Sequence, residues 1–337
     1  MTLPAMSRKR YLATLGKFLL FLAIVLTFSP LIGPTRIDLL KALAGTGAFA
    51  DNVDANILFV ARLPRELLAA VTGAALAVAG CVFQALLRND LAAPITLGVA
   101  SGAAFGAVLA IALGGTFSVF GFSAVTLGAF FGAVSAVSLV LGLSRARHGE
   151  MPTAFMLLAG VTVNFFFAAL VMLVHYLSDF VQSYRIVRWL MGGLDITDYQ
   201  TVLSICPAVF LGIGALMYFA RDLNLISAGA STAMSRGVDV ARVQKLSLIA
   251  ASLITGAVVA VSGPIGFVGL VVPHIVRLMV GSDQRLLIPA SMLFGAAFLV
   301  LCDTVARTVI APTEIPVGVI TSTLGGPFFL WLLTRQR

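Results

Sequence analysis

Residues 262–277 read SGPIGFVGLVVPHIVR, and this stretch decides how the chain is organised. It is strongly apolar, yet it carries three glycines at a spacing of three and prolines at positions 264 and 273. Proline lacks the backbone N–H that a continuous helix needs, and glycine lets two backbones approach closely. We therefore expect one helix to end near Ser262, the chain to turn, and a short helix to run back. Such interrupted apolar segments favour a transport path in a membrane protein, although an ordinary helix–turn–helix fits the glycines equally well.

The composition places nearly the whole chain in a membrane. Of 337 residues, 60% are hydrophobic and 11% are charged, against roughly 25% charged residues in soluble globular proteins. A helix needs about 20 apolar residues to cross a bilayer. We predict an all-α polytopic fold with ten transmembrane helices in a single transmembrane domain over residues 1–337. The predicted spans cover residues 12–32, 57–86, 92–113, 118–143, 152–177, 198–220, 243–262, 266–280, 286–306 and 315–334.

The basic residues indicate the orientation of these spans. With the N-terminus in the cytoplasm, fifteen of the 22 Lys and Arg residues fall in inner segments and seven in outer segments. This distribution follows the positive-inside rule and puts both termini in the cytoplasm. The net charge of +8 then reflects topology and not a nucleic-acid-binding surface. Cys81, Cys206 and Cys302 lie singly in apolar runs and are predicted to be small core residues, with no disulfide or metal site.

Several function classes fit the sequence poorly. Spans three, four, six, seven and ten have no charged residue in their apolar interiors, whereas ion-coupled carriers need such groups. A membrane enzyme would need clustered Ser, His and Asp or paired carboxylates, and the three histidines lie far apart. No G-x-x-x-x-G-K-[ST] motif occurs, so the chain has no ATPase site of that type. An ion-coupled secondary transporter stays open as a distant alternative.

Two further patterns concern organisation. The segment Gly73–Gly80 (GAALAVAG) resembles Gly256–Gly263 (GAVVAVSG), and the two lie in spans of opposite direction. This predicts an inverted repeat of spans two to five against spans seven to ten, as in many transporters. The polar loop over residues 221–243 is predicted to form two short helices that meet at Gly229 and Gly237. It is either a surface for another subunit or a plain connection.

Three stretches of the sequence together carry a family resemblance. They are RLPR at 62–65 with residues 80–102, the stretch 262–277, and DTVAR at 303–307 with residues 314–327. They resemble the FecCD-type permease family, the BtuC-like membrane subunits of ATP-binding-cassette (ABC) importers for iron–siderophores, haem and cobalamin. The resemblance runs from about residue 12 to the C-terminus.

The resemblance implies a transport subunit that catalyses nothing and binds no cofactor itself. Its implied partners are two cytoplasmic ABC ATPase subunits, a periplasmic solute-binding protein and a second permease subunit, as a homodimer or close heterodimer. Transport would follow the dimer axis in the bacterial inner membrane. The chain would switch between inward-open and outward-open states.

The resemblance also assigns candidate site residues. Three arginines are expected to stand exposed on the outer face and to meet acidic residues of the binding protein: Arg62, Arg65 and Arg307. The coupling surface for the ATPases comprises Ser227, Gly229, Ser231, Met234, Ser235, Arg236 and Gly237. The cytoplasmic gate comprises Asn89, Leu91 and Thr153. The pathway comprises Asn164, Phe165, Ala168, Met172, Thr321 and Thr323. Asp90 stands where the family usually has proline, and we expect it to loosen the gate loop.

The cargo is predicted by the same resemblance. An iron–siderophore complex is the leading candidate because it is the commonest substrate of the family. Haem is the alternative, with cobalamin also within the family. Five residues near the predicted outer mouth have side chains that suit a porphyrin: His175, Tyr176, Tyr184, Arg185 and Met191. The same residues also fit an interfacial aromatic belt and a loop.

Overall fold

The structure, a computed structural model, describes residues 8–43, 52–119, 121–145, 153–195 and 198–335. This part of the chain is almost wholly helical, with a short antiparallel pair of strands, β1 (Ser118–Val119) and β2 (Phe122–Ser123). A π-helical segment (Asn56–Arg62) joins α3 to α4. The helices are α1 (Arg8–Phe28), α2 (Leu39–Leu43), α3 (Val53–Ala55), α4 (Leu63–Leu87), α5 (Val99–Ala112), α6 (Ala124–Arg145), α7 (Thr153–Leu177), α8 (Phe180–Leu190), α9 (Tyr199–Tyr218), α10 (Ala220–Ala228), α11 (Ala230–Ser235), α12 (Val240–Ser262), α13 (Val268–Val280), α14 (Gln284–Thr308) and α15 (Val317–Arg335).

The predicted all-α polytopic fold is confirmed. Within the described ranges, seven helices are long and apolar enough to cross a membrane: α1, α4 with its extension to Val53, α6, α7, α9, α12 and α14. The shorter apolar helices α5, α13 and α15 lie where the third, eighth and tenth spans are predicted. The predicted start of the third span at residue 92 is wrong. A 3-10 turn (Pro94–Leu97) and the left-handed backbone of Gly98 precede α5, because proline disfavours helix at the residue before it.

The interruption predicted near Ser262 is confirmed. The helix α12 ends at Ser262, and the backbone of Gly263 has φ 67°. Residues 263–267 are not helical, and α13 begins after Phe267, whose φ of 65° is rare for a bulky side chain. The ring of Phe267 lies against Gly325 of α15, where a side chain would overlap it. Pro273, in contrast, lies inside α13, so Pro264 is the proline of the turn.

The helix packing is consistent with an inverted repeat. Gly73 of α4 lies so close to the carbonyl of Gly295 in α14 that a Cβ would overlap it. Gly256, which matches Gly73 in the predicted repeat, faces the side chain of Ala133 in α6. The repeat pairs α4 with α12 and α14 with α6, so the two contacts correspond. Small residues let helices approach closely where lipid supplies no hydrophobic driving force.

The core lies around α4, which is buried along nearly its whole length and packs against α12, α13 and α14. The helices α1, α7 and α9 are peripheral and expose large apolar side chains. An exposed apolar surface of this extent suits lipid or another membrane subunit.

Candidate functional site

A buried ion cluster ties α4 to α14 at the ends that the predicted topology places outside. Arg65 Nε and Nη2 donate to Asp303 Oδ1 at 3.0 and 2.9 Å, and Arg65 Nη1 donates to Glu314 Oε2 at 2.5 Å. Arg307 Nε lies 3.3 Å from Asp303 Oδ2. Asp303 is only 2% exposed. The guanidinium of Arg65 thus holds two carboxylates that lie 238 and 249 residues further along the sequence.

The expectation that Arg62, Arg65 and Arg307 stand exposed is wrong. Arg62 and Arg307 are 6% and 4% exposed, and the Arg65 side chain is 11% exposed. Arg62 donates to the carbonyls of Pro30 and Thr35, each at 2.6 Å. The guanidinium groups donate to carboxylates and carbonyls of the same chain, because burying an unpaired charge there would be costly.

The cluster reaches the surface through Asp195. Asp195 Oδ1 lies 3.8 Å from Arg65 Nη1, and its Oδ2 accepts from Arg188 Nη2 at 2.9 Å. The hydrogen bond and the charge of Asp195 raise the pKa of the Arg188 guanidinium. Both side chains are about half exposed, so this pair contributes roughly 0–1 kcal/mol and falls off with salt.

The residues of the predicted coupling surface lie on and beside two short helices, as the sequence indicates. The helices α10 and α11 meet at Gly229, whose φ of 139° ends the first helix, and Gly237 turns the chain again with φ 81°. Ile226 and Ala233 anchor the pair on the start of α12. Six of the seven predicted residues are exposed and Gly229 is half-buried. The structure therefore brings them together on one polar surface with Met234 as an exposed apolar side chain.

The predicted gate loop packs on α7. Asn89 Oδ1 accepts from the backbone N–H of Leu91 at 2.9 Å, which forms a tight local turn. Further along, Gly98 lies against Val163 of α7, where an added side chain would overlap. Thr153 begins α7, and its side chain lies outside those that the structure describes.

Asp90 does not loosen this loop, contrary to our expectation. Its Oδ1 accepts from Arg277 Nη1 of α13 at 2.5 Å. Arg277 Nη2 also donates to Gln84 Oε1 of α4 at 2.5 Å. Asp90 therefore ties the loop to another helix through an ion pair. Its partners lie 187 residues apart in the sequence, so no local pattern indicates the pair.

An apolar cavity of about 640 Å³ lies between the gate loop, the 263–267 turn and α15. Ala93, Pro94 and Ile95 line it from the loop, and Phe267 lines it from the turn. None of the described residues that line it is charged.

Of the six predicted pathway residues, Thr323 lines this cavity and the other five do not. Thr323 lines it, but Thr321 does not: it is 1% exposed and donates to the carbonyl of Gly318 at 3.1 Å. Thr321 is therefore wrong as a pathway residue in this structure, because its side chain is buried away from the cavity. The four residues of α7 lie outside the lining. Phe165 and Met172 are exposed, and Asn164 and Ala168 are half-buried.

The five residues predicted for a porphyrin are not gathered in one pocket. Met191 lines the apolar cavity, whereas Arg185 lines a separate cavity of about 330 Å³ with Arg188 and Trp189, at the end that the predicted topology places outside. Tyr176 and Tyr184 are exposed and His175 is half-buried. The sequence did not predict α8, which holds Tyr184, Arg185 and Arg188, although its polar and apolar residues alternate at helical spacing.

The comparison with known families decides the identity. Residues 20–335 match the model of the FecCD transport family. The chain belongs to this family. As a FecCD protein it is a membrane-spanning transport subunit of an ABC transporter, and ATP is hydrolysed by a separate ATPase subunit.

Individual relatives agree with the family over most of their length. The chain is 44% identical over 283 residues to the hemin transport system permease protein HmuU of Yersinia pestis, covering 82% of each protein. It is 45% identical over 284 residues to the cobalamin import system permease protein BtuC of Halobacterium salinarum, covering 82% of this chain and 72% of the relative. A solved structure described as an inward-facing ABC transporter of metal-chelate type superposes with a TM-score of 0.83 at 32% identity, over 96% of this chain and 99% of the other.

Proposed function

We propose that this FecCD permease carries an iron–siderophore complex from a periplasmic solute-binding protein to the cytoplasm. The observation that supports this cargo is the apolar cavity of about 640 Å³, whose described lining holds no charged side chain. The likeness to a structure of metal-chelate type points the same way.

The lining suits a chelate better than it suits haem. A siderophore encloses the ferric ion, so the path needs weak, mixed contacts such as those of Phe267, Ser322 and Thr323. Haem carries two propionates, and moving free carboxylates into an apolar cavity without cationic partners is costly. A lining with no Lys or Arg therefore favours the iron–siderophore complex over haem.

The proposed energy source is a pair of ABC ATPases at the cytoplasmic ends of the helices. The exposed α10–α11 surface supports this, because Met234 offers an apolar contact and Arg236 a charge on a well-anchored support. Nucleotide binding would then bias the permease between inward-open and outward-open packings.

The proposed outer partner is a periplasmic binding protein. Arg65 and Arg307 are held by Asp303 and Glu314, and Arg62 is held by the carbonyls of Pro30 and Thr35. A docked partner therefore meets these arginines only if its own carboxylates replace those groups. Otherwise it meets the exposed Arg188–Asp195 pair first.

The proposed assembly is a homodimer in the bacterial inner membrane with both termini cytoplasmic. The exposed apolar face of α7, which includes Phe165, Phe166 and Met172, supports a second copy there. Two copies related by a two-fold axis would enlarge the path for a bulky cargo.

Haem is the second candidate, and one observation favours it. The outer cavity of about 330 Å³ places Arg185 and Arg188 beside Trp189, a set that suits an anionic aromatic group. The identity to HmuU adds weight to this alternative.

The test is uptake by purified components in lipid vesicles. The permease, its cognate ATPase and its binding protein are reconstituted, and uptake of labelled ferric siderophore, haem and cobalamin is measured with and without ATP. We expect ATP-dependent uptake of the siderophore alone. A matched preparation with a hydrolysis-deficient ATPase controls for leakage. Uptake of haem or cobalamin in place of the siderophore would refute the cargo, and uptake without the ATPase would refute the mechanism.

A further inference from the structure

The loop between α4 and α5 separates two cavities of different character. Its last residues, Ala93–Ile95, line the apolar cavity. Its first residues, including Arg88 and Asp90, line a polar cavity of about 590 Å³. A single short segment thus forms a wall of both spaces.

The helices beside this loop also line both cavities. Leu76 of α4 and Gly269 of α13 line the apolar cavity, and Gln84 and Arg277 line the polar one. Each pair is eight residues apart on its helix, or about 12 Å along the axis. Between them Gly80 touches the backbone of Gly269 so closely that a Cβ would overlap it. Since the two helices are in backbone contact at this point, the loop is the part of the wall that can move.

Pro94 of the loop packs against Gly269 of α13, and the Asp90–Arg277 ion pair is the polar link between the two. Among the described residues, the other hydrogen bonds of residues 89–96 are local, such as Leu91 to Asn89 and Thr96 to Ala93. The Asp90 side chain is 62% exposed and that of Arg277 is 18% exposed. Arg277 is held in place by Gln84, so the guanidinium is a fixed point and the carboxylate is the mobile partner.

We propose that Asp90 is a positioning residue of the inner gate. Its ion pair with Arg277 holds the α4–α5 loop against α13 and keeps the apolar cavity closed from the side of the polar cavity. When the pair breaks, Ala93–Ile95 move away and the apolar cavity opens toward the cytoplasm. This inference rests on the proposed function, because a gate has a role only in a permease that switches between inward-open and outward-open packings.

The polar cavity also connects this ion pair to the coupling surface. Asn224 and Ser227 of α10 line the same cavity as Asp90. Asn224 Nδ2 donates to Asp283 Oδ1 at 2.7 Å, which ties α10 to the start of α14. A displacement of α10 by an ATPase therefore changes the shape and hydration of the space around the Asp90 carboxylate.

The test measures access to a buried loop position in the full-length protein. In a variant whose native cysteines are replaced by alanine, Ala93→Cys is the probe, because Ala93 is 5% exposed and lines the apolar cavity. Inside-out vesicles are treated with a membrane-impermeant maleimide. We expect Asp90→Asn to raise the labelling rate roughly three- to fivefold, which is the range that one exposed ion pair supports.

Three companion variants make the result specific. Asp90→Glu keeps the charge and is expected to restore slow labelling. Arg277→Gln breaks the pair from the other side and is expected to raise labelling at least as much as Asp90→Asn. Asp38→Asn breaks the exposed Lys41–Asp38 pair and is expected to leave the rate unchanged.

The inference is overturned if neither Asp90→Asn nor Arg277→Gln raises labelling, or if Asp90→Glu labels as fast as Asp90→Asn. Because labelling needs no cargo, its outcome is independent of whether the siderophore is transported. Elution of each variant as a single species on size exclusion establishes that labelling reports the loop and not unfolding.

Discussion

At the residue scale, Arg65 and Arg307 are paired with carboxylates of the same chain. Arg65 donates to Asp303 through Nε and Nη2 and to Glu314 through Nη1. Removing one partner of such a buried pair leaves an uncompensated charge, which costs far more than the pair itself contributes. These arginines therefore stabilise the helix ends whether or not a partner protein docks there.

Asp303→Ala tests this role. It leaves Arg65 and Arg307 without their shared carboxylate, and we expect a loss of about 3–5 kcal/mol in stability. Asp38→Asn, which breaks an exposed pair but keeps a side-chain oxygen for the backbone N–H groups of Leu40 and Lys41, is the control and is expected to cost about 0–1 kcal/mol. Thermal unfolding in detergent measures both. Equal unfolding temperatures for the two variants would show that the cluster has no structural role.

The start of α14 supplies a pH-dependent contribution. Hydrogen bonds from Arg285, with support from Asn224, lower the pKa of Asp283 below its ordinary value. A carboxyl with a depressed folded pKa stabilises the fold above its unfolded pKa of about 3.9, and this stability is lost as the pH falls through the folded pKa. We expect Asp283→Asn to unfold with a weaker pH dependence below about pH 4. Identical acid unfolding profiles for variant and parent would contradict this.

A sequence can indicate residue-scale contacts only where they are local. The pair Asp303–Arg307 follows from their spacing of four residues on a helix. The bond from Arg65 to Asp303 joins residues 238 apart in sequence, and no local pattern indicates it. The positive-inside count gave the predicted side of each arginine but carried no information on depth, which is why burial was missed.

At the element scale, glycine contacts set how closely the helices approach. Gly80 of α4 lies against the backbone of Gly269 in α13, and Gly73 lies against Gly295 in α14. At such contacts the backbone atoms of the two helices touch directly, so there is almost no room for an added side chain. Gly214 of α9, in contrast, faces open space.

Gly80→Ala is expected to destabilise the permease. The added Cβ would overlap the Gly269 carbonyl, and overpacking of this kind costs about 1–3 kcal/mol. Gly214→Ala is the matched control and is expected to be neutral or slightly stabilising, because alanine favours helix. Unfolding temperature in detergent distinguishes them. A Gly80→Ala protein as stable as the parent would mean that α4 and α13 can separate freely.

The elements themselves were largely predictable because apolar length and helix-breaking residues are local signals. Pro264 and Gly263 marked the interruption of the chain, and Gly229 marked the boundary between α10 and α11. The amphipathic helix α8 was missed because it is too short and too polar to resemble a span.

At the scale of the whole molecule, the peripheral helices expose many large apolar side chains. Phe165 and Met172 on α7 and Phe210 on α9 are each about 70% exposed. Composition cannot tell lipid-facing from subunit-facing surface, since both are equally apolar. The inverted repeat suggested which helices pair within the chain but not which face meets a second copy.

Cysteine cross-linking distinguishes the two surfaces. In a background without native cysteines, we expect Met172→Cys to form a covalent dimer in membranes under mild oxidation, because α7 is the proposed contact with the second subunit. Phe210→Cys, with 69% exposure against 71% for Met172, is the matched control and is expected to stay monomeric. A monomer for both, or a dimer only for Phe210→Cys, would place the second copy elsewhere.

The left-handed backbone of Phe267 has a mechanical consequence. A bulky residue in this region costs about 1–3 kcal/mol unless its surroundings compensate, and here the ring rests on Gly325 and lies 6.4 Å from the Phe329 ring. If α15 tilts away, the Phe267 ring loses its contact with Gly325, and the backbone at residue 267 can leave the left-handed region. The helix α15 and the 263–267 turn are therefore energetically linked. A tilt of α15 would be favoured by the backbone strain that it releases at Phe267.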